Sequence, residues 1–294
     1  MIPVWSLGLR PAPKIDLGDA KNIFVIAFLH AVGHFGAVVS MSLGAVSFTH
    51  IVKAAEPVFS TVLTGLLLGK WAPWQVNATL IPVIFGVILA SVQLSFSPLR
   101  IALGDFNIQA FSGAMISNLA FALRSIYMKR MDDTPEKKAA CKRKNLTSDN
   151  VYAIYTIFAF LIAIPVTYVF EGASVRAAWE VILKSQRFQL PALSTTVLQG
   201  TPYMVNIEMH IVTGLFFYLY NEASSLALGN LDGVAHAVCN TVKRVVIMIA
   251  MSFFDKPLNA QKWTGATIAI GGTLLYTLVK TSFDSKAVPK KKIH

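Results

Sequence analysis

Apolar residues run along this chain in blocks of about 20, the length an α-helix needs to cross about 30 Å of hydrocarbon. Eight such blocks are legible, at 20–42, 46–69, 73–94, 107–128, 150–170, 207–229, 232–254 and 261–280. Their apolar positions are spread around the helical wheel rather than gathered in one stripe, as in helices that meet lipid or apolar neighbours on every side. Short polar turns and one long basic loop, 129–147, separate them. The pattern predicts an all-α fold, a polytopic bundle of transmembrane helices.

Composition agrees. Hydrophobic residues make up 54% of the 294 residues and charged ones 14%, with a mean hydropathy of +0.57, whereas a soluble domain is about 25% charged. The net charge of +11 raises the question of nucleic acid. With eight spans, the N-terminus, the turn at Lys70, the 129–147 loop, the turn near residue 230 and the C-terminus share one face. That face holds 15 of the 26 Lys/Arg, against six on the other: Arg100, Arg176, Lys184, Arg187, Lys256 and Lys262. This is the positive-inside pattern of a membrane protein, and no nucleic-acid partner is expected. Cys141 lies in a loop and Cys239 in a span, so no disulfide joins them. The opening Met-Ile-Pro-Val-Trp has neither a signal-peptide nor a transit-peptide pattern.

The spans carry charges that a bilayer opposes. Lys21 stands at a span edge and can snorkel. Lys53, Arg124, Lys243 and Arg244 are deeper, and each costs about 2.5–3.5 kcal/mol on insertion scales. Lys243 and Arg244 have no acid within ten residues on either side. The chief intramembrane acids are Glu56 and Glu222, and Glu56, three residues after Lys53, is placed to pair with it. The excess is positive, and an anionic ligand is the missing partner. Thr-His-Ile-Val-Lys (49–53) and Asn-Thr-Val-Lys-Arg (240–244) each follow a span with a polar group at its middle, His34 and Tyr220. The two lysine-bearing helices run in opposite directions, the plan of inverted repeats that meet at a midplane site.

Catalytic signatures are missing, and an enzyme is not expected. Gly-Leu-Leu-Leu-Gly-Lys-Trp (65–71) lacks the spacing and the Ser/Thr of a phosphate-binding loop; its GxxxG predicts close approach of two helices. No CxxC or GxSxG occurs. His30 and His34, one turn apart, have a spacing that suits zinc, but the nearby cations oppose a metal. His30 and His50 are read as packing or hydrogen-bonded histidines, and neither metal nor cofactor is expected.

His-Ala-Val-Gly-His (30–34), Ala-Val-Ser-Phe-Thr-His-Ile-Val-Lys-Ala-Ala-Glu-Pro (45–57), Phe-Ala-Leu-Arg-Ser (121–125), Tyr-Asn (220–221) and His-Ala-Val-Cys-Asn-Thr-Val-Lys-Arg (236–244) together resemble the plastid phosphate translocators. Among these the chain is most similar to the triose-phosphate/phosphate translocator family, in the drug/metabolite transporter superfamily. The resemblance runs from about residue 5 to 282. It implies ten helices in two inverted halves of five, and exchange of inorganic phosphate for phosphorylated three-carbon metabolites across the chloroplast envelope. It implies that Lys53, Lys243 and Arg244 hold the phosphate, with His34 and Tyr220 donating hydrogen bonds. Arg124 then faces the other end of the substrate, its carbonyl or carboxylate, with Phe121 packed beside it.

The departures from the family pattern shape further expectations. One transporter domain over 1–294 divides into three helices of a first repeat (18–94), five of a second (107–280) and a basic tail (281–294). The first two family helices are absent from the sequence, so a partner fragment or a restored N-terminus is expected to complete the bundle. Ser40, Gly44 and Ala45 are then expected to present a small-residue face to lipid or to another protein. Asp-Gly-Val-Ala-His (232–236) and Ser-Val-Gln-Leu-Ser-Phe (91–96) depart from the family pattern near the site, which bears on substrate preference. Two rival functions stand beside phosphate antiport. One is a nucleotide-sugar transporter of Golgi or endoplasmic reticulum, suggested by the Lys291-Lys292-Ile293-His294 ending. The other is a truncated membrane protein that does not transport.

Overall fold

The computed structural model describes residues 5–8, 10–91, 93–95, 100–102, 107–131, 133–184, 212–221, 223, 242–250 and 259–287. Within them lie helices α1 (Leu17–Leu43), α2 (Val46–Lys53), α3 (Glu56–Leu68), α4 (Trp74–Ala78), α5 (Leu80–Ser91), α6 (Ile108–Met131), α7 (Pro135–Arg143), α8 (Ser148–Lys184) and α9 (Ala260–Ala287). Helical stretches also occupy 212–221 and 242–250. These helices fall on all eight apolar blocks. The rest of the blocks at 207–229 and 232–254, with Glu222, Cys239 and the motif at 232–236, lies outside the described residues, as does the tail beyond residue 287. Between α5 and α6, where the apolar pattern predicts only a connection, Gln93–Ser95 and Arg100–Ala102 pair as a short antiparallel ribbon, β1 and β2.

Among the described residues, four spans are long and apolar enough to cross a membrane: Leu17–Leu43, Val46–Leu68, Trp74–Ser91 and Ser148–Ala173. Helices α6 and α9 have the length to do so, 24 and 28 residues, but polar groups interrupt their apolar character. The large side chains Phe24, Phe28, Phe85, Ile88, Phe160 and Phe170 all stand exposed. In water such a surface would aggregate; in a bilayer it is the lipid face.

The interior mixes Ile, Val and Tyr with many small residues, and the small ones let helix backbones approach closely where apolar lipid gives no hydrophobic reason to associate. Two crossings show this. Helix α1 meets α6 at Gly36 and Gly113: a Cβ on Gly36 would lie 2.7 Å from Gly113 O, and one on Gly113 2.8 Å from Gly36 O. Helix α5 meets α9 at Gly86 and Gly265, where a Cβ on Gly265 would lie 2.6 Å from Ala90 N.

The small residues at the end of α1 belong to this packing, which corrects the expectation of an open face. Ser40 is fully buried and hydrogen-bonds Thr49 at 2.7 Å, while a Cβ on Gly44 would come within 2.9 Å of Ala110 Cβ. The GxxxG of 65–71 also serves another purpose. Gly69 adopts φ 65° and ends α3 in the left-handed conformation, and the Trp71 ring folds back over Gly65. That motif makes a turn rather than a helix crossing.

At the opposite end of α1, Asp16 caps the helix, and Lys144 bridges Asp16 (2.5 Å) and Asp19 (2.7 Å). Asn150 extends the clasp: its Nδ2 donates to Pro11 O and Asn145 O, and its Oδ1 accepts from Trp5 Nε1. The hydrogen bond from Lys144 pulls the Asp16 carboxyl down to about 2, and the two carboxylates raise Lys144. A depressed acid loses its ionic contribution only as pH falls through its folded value, so this clasp is intact at neutral pH.

Replacing Gly86 with Leu should overpack the α5–α9 crossing at a cost of about 1–3 kcal/mol. A lowered thermal midpoint in detergent would report it. Gly271, on α9 with no atom within 4 Å of an added Cβ, provides the control: Gly271→Leu should leave the midpoint where it was.

Candidate functional site

The site begins at a break in a membrane helix. Pro57 has no N–H to bond the Lys53 carbonyl, and its ring clashes with a continuing helix, so the second apolar block divides into α2 and α3. The chain tightens as it crosses: Ala54 N and Ala55 N reach back only three residues, to Ile51 O (3.0 Å) and Val52 O (3.1 Å). Polar backbone at membrane depth must find partners within the protein. Asn118 Nδ2 on α6 donates to Val52 O at 2.9 Å, and Thr273 Oγ1 on α9 donates to Ala54 O at 3.1 Å. The break is therefore held from both sides. Ile51, Val52, Ala54 and Ala55 are buried against α5, α6 and α9.

The break sets two charges where helix dipoles favour them. Lys53 ends α2 and Glu56 begins α3, a cation at a C-terminus and an anion at an N-terminus. They do not pair as the three-residue spacing suggests. Lys53 Nζ donates to Ser117 Oγ at 2.7 Å and lies 4.5 Å from the centre of the Phe121 ring. Glu56 Oε2 instead takes an ion pair from Arg244 Nη2 at 3.3 Å. The helix break is the reason, since it separates two side chains that a continuous helix would stack. Lys243 donates to the Tyr220 hydroxyl and sits 4.8 Å from that ring. Lys53 is within electrostatic reach of Glu56, Arg244, Arg124 and Lys243.

A second group of residues also meets at Phe121. The Arg124 guanidinium lies 4.9 Å from the Phe121 ring centre, and its Nη1 is 2.9 Å from His30 Nδ1. His34 packs edge-on to Phe121 at 5.3 Å and to His30 at 4.4 Å. Gly33 makes room for the ring: a Cβ there would lie 2.8 Å from the Phe121 edge. All seven expected site residues are described, and they occupy one connected region. Among the described residues no cluster of His, Cys, Asp and Glu is arranged to hold a metal.

Four participants went unnoticed in the sequence: Ser117, Asn118, Thr273 and Tyr155. Ser117 and Asn118 are fully buried, and polar residues in mid-block next to Arg124 were an available signal. Thr273 and Tyr155 carry none, since Thr and Tyr are ordinary in membrane helices.

Lipid-facing helices around a broken helix that carries opposed charges make this a polytopic helical membrane protein. A model of the Triose-phosphate Transporter family matches residues 1–277, and the chain belongs to that family. It is 33% identical over 282 residues to glucose-6-phosphate/phosphate translocator 2, chloroplastic, of Arabidopsis thaliana, covering 95% of this chain and 64% of the relative. It is 34% identical over 294 residues to the xylulose 5-phosphate/phosphate translocator, chloroplastic, of the same plant (99% and 61%). It is 33% identical over 284 residues to the triose phosphate/phosphate translocator, chloroplastic, of Zea mays (96% and 61%). The chain thus spans less than two thirds of the length of these relatives. The family is one of transporters, not enzymes.

Thr273→Val keeps the side-chain shape and removes the donor to Ala54 O. It should cost about 1–3 kcal/mol, the range for a buried carbonyl left unsatisfied, seen as a lower thermal midpoint. Thr267 on the same helix bonds only the carbonyl four residues back, so Thr267→Val should have little effect.

Proposed function

We propose that this protein is an antiporter that exchanges inorganic phosphate for phosphorylated three-carbon metabolites by alternating access. Triose phosphate, 3-phosphoglycerate and phosphoenolpyruvate are the substrate class, and the chloroplast envelope is the membrane. The observation that carries the reading is charge balance around the helix break. Lys53, Lys243 and Arg244 are three cations, and Glu56, paired with Arg244, is the one acid beside them among the described residues. About two positive charges are left over. A phosphate group brings about −1.5 to −2 near neutral pH, which closes the balance. Lys53, Lys243 and Arg244 hold the phosphate in this reading, with His34 and Tyr220 donating to it. Arg124 meets the far end of the substrate beside Phe121. The names of the relatives above, which pair a sugar phosphate with phosphate, support phosphate exchange, and the triose phosphate relative supports a three-carbon partner.

The charge excess also accounts for exchange rather than leak. Occluding an empty site leaves unpaired cations in a low-dielectric space, which costs several kcal/mol per ion. Each 1.4 kcal/mol slows a transition about tenfold, so the empty carrier returns orders of magnitude more slowly than the loaded one. Nucleotide-sugar transport draws nothing from the relatives named above. The remaining rival, a protein that does not transport, is decided by uptake.

Purified protein in liposomes preloaded with phosphate should take up labelled phosphate quickly, and empty liposomes should take up almost none. Rapid entry into empty vesicles, beyond a protein-free control, would mean a uniporter or channel. Absence of uptake in both would favour the non-transporting reading. Lys243→Ala and Arg244→Ala should each lower exchange at least tenfold, given about 1.5–3 kcal/mol for a charged hydrogen bond. Arg244→Lys should also impair it, because the planar fork is lost.

A further inference from the structure

We infer that His30 is a positioning residue, a neutral imidazole protonated on Nε2 that turns one edge of Arg124 toward a carboxylate on the substrate. The inference rests on the reading above that Arg124 faces the non-phosphate end of the ligand.

Donor counting comes first. Arg124 Nη1 lies 2.9 Å from His30 Nδ1. A guanidinium has five N–H donors and no acceptor, and it stays charged. His30 Nδ1 must therefore offer a lone pair, which only the neutral Nε2–H tautomer does; an imidazolium or the Nδ1–H tautomer would set two donors against each other. The ring has little freedom to turn. Tyr155, itself buried, stands 4.9 Å away on α8, His34 stands 4.4 Å away on α1, and Phe121 stands 6.1 Å away on α6. These three and Arg124 are the groups that face His30 in the structure.

The consequence falls on Arg124. Its guanidinium lies 4.9 Å from the Phe121 ring centre and 6.0 Å from that of Tyr155, so two aromatic rings flank its Nη1 contact with His30. Its Nε is buried and has no hydrogen-bond partner among the described residues. With Nη1 engaged, the edge left over is Nε–H with Nη2–H, two parallel donors that match the two oxygens of a carboxylate. A hydroxymethyl or ketone end can use only one of them. His30 thus acts on selection among phosphorylated metabolites while Lys53, Lys243 and Arg244 act on the phosphate common to all of them.

Two measurements test this. In proteoliposomes, His30→Leu, which has no acceptor, should raise KM for 3-phosphoglycerate about tenfold more than KM for phosphate. His30→Gln, which keeps an acceptor, should recover most of that selectivity. Equal losses for both ligands, or no loss, would overturn the role. Independently of transport, ¹⁵N-imidazole NMR on histidine-labelled protein should show the His30 signal, assigned by its loss in His30→Gln, as the neutral Nε2–H form at pH ~7. Arg124→Gln should shift that signal. An imidazolium or an Nδ1–H tautomer would overturn the inference whether or not His30→Leu folds. Wild-type protein that exchanges no phosphate would sink the proposed function instead, and the NMR result would still decide His30.

Discussion

Most of this structure follows from one helix that cannot continue. Pro57 stops the hydrogen-bond ladder at Lys53, and a stopped ladder inside a bilayer leaves polar backbone with no water to satisfy it. Asn118 adds a second donor to Val52 O, beside Ala55 N, and Thr273 donates to Ala54 O, which ties α6 and α9 to the break. Those attachments need close helices, and the glycine crossings at Gly36–Gly113 and Gly86–Gly265 provide them. Fold and site therefore share a cause: packing that satisfies the break also delivers Ser117, Phe121 and Arg124 to one side of Lys53.

The same break changes the electrostatics from what spacing alone implies. Had α2 and α3 been continuous, Lys53 and Glu56 would neutralise each other and leave Arg244 alone in an apolar setting. Separated, Glu56 reaches across to Arg244 on the 242–250 stretch, and Lys53 turns to a neutral hydroxyl, Ser117. Replacing a buried pair by apolar residues is often neutral or stabilising, so this arrangement is not a means to stability. It spreads positive charge over two elements that an anion can draw together.

How much of this could be read from the chain depends on what carries the signal. Helix positions were legible because eight apolar blocks of membrane length leave little choice of structure, and Lys53, Arg124, Lys243 and Arg244 stood out as candidates because a charge in lipid needs a reason. Pro57 was visible too, yet its effect on Glu56 was not, because a partner on a distant helix is set by packing. The Gly65–Gly69 pair shows the same limit: its spacing suits a helix crossing, but Trp71 occupies the space over Gly65 and Gly69 turns the chain. Ser40 and Gly44 suit an open face by composition, yet Ser40 is buried against Thr49 and Gly44 packs close to Ala110 on α6. Small residues announce close contact, and the sequence does not say with what.

Phe121 ties the two ends of the site together. Lys53 Nζ and the Arg124 guanidinium each lie within 5 Å of its ring centre, on residues delivered by different elements. The ring is itself wedged over Gly33, so it cannot shift toward α1 without a clash. An aromatic face attracts cations, so Phe121 is a neighbour that Lys53 and Arg124 share. In the proposed reading, selectivity is then a matter of length as much as charge: a ligand must satisfy Lys53 and the free edge of Arg124 at once. On that reading His30 would orient the Arg124 end, the helix break would orient the Lys53 end, and Phe121, beside both cations, would join the two.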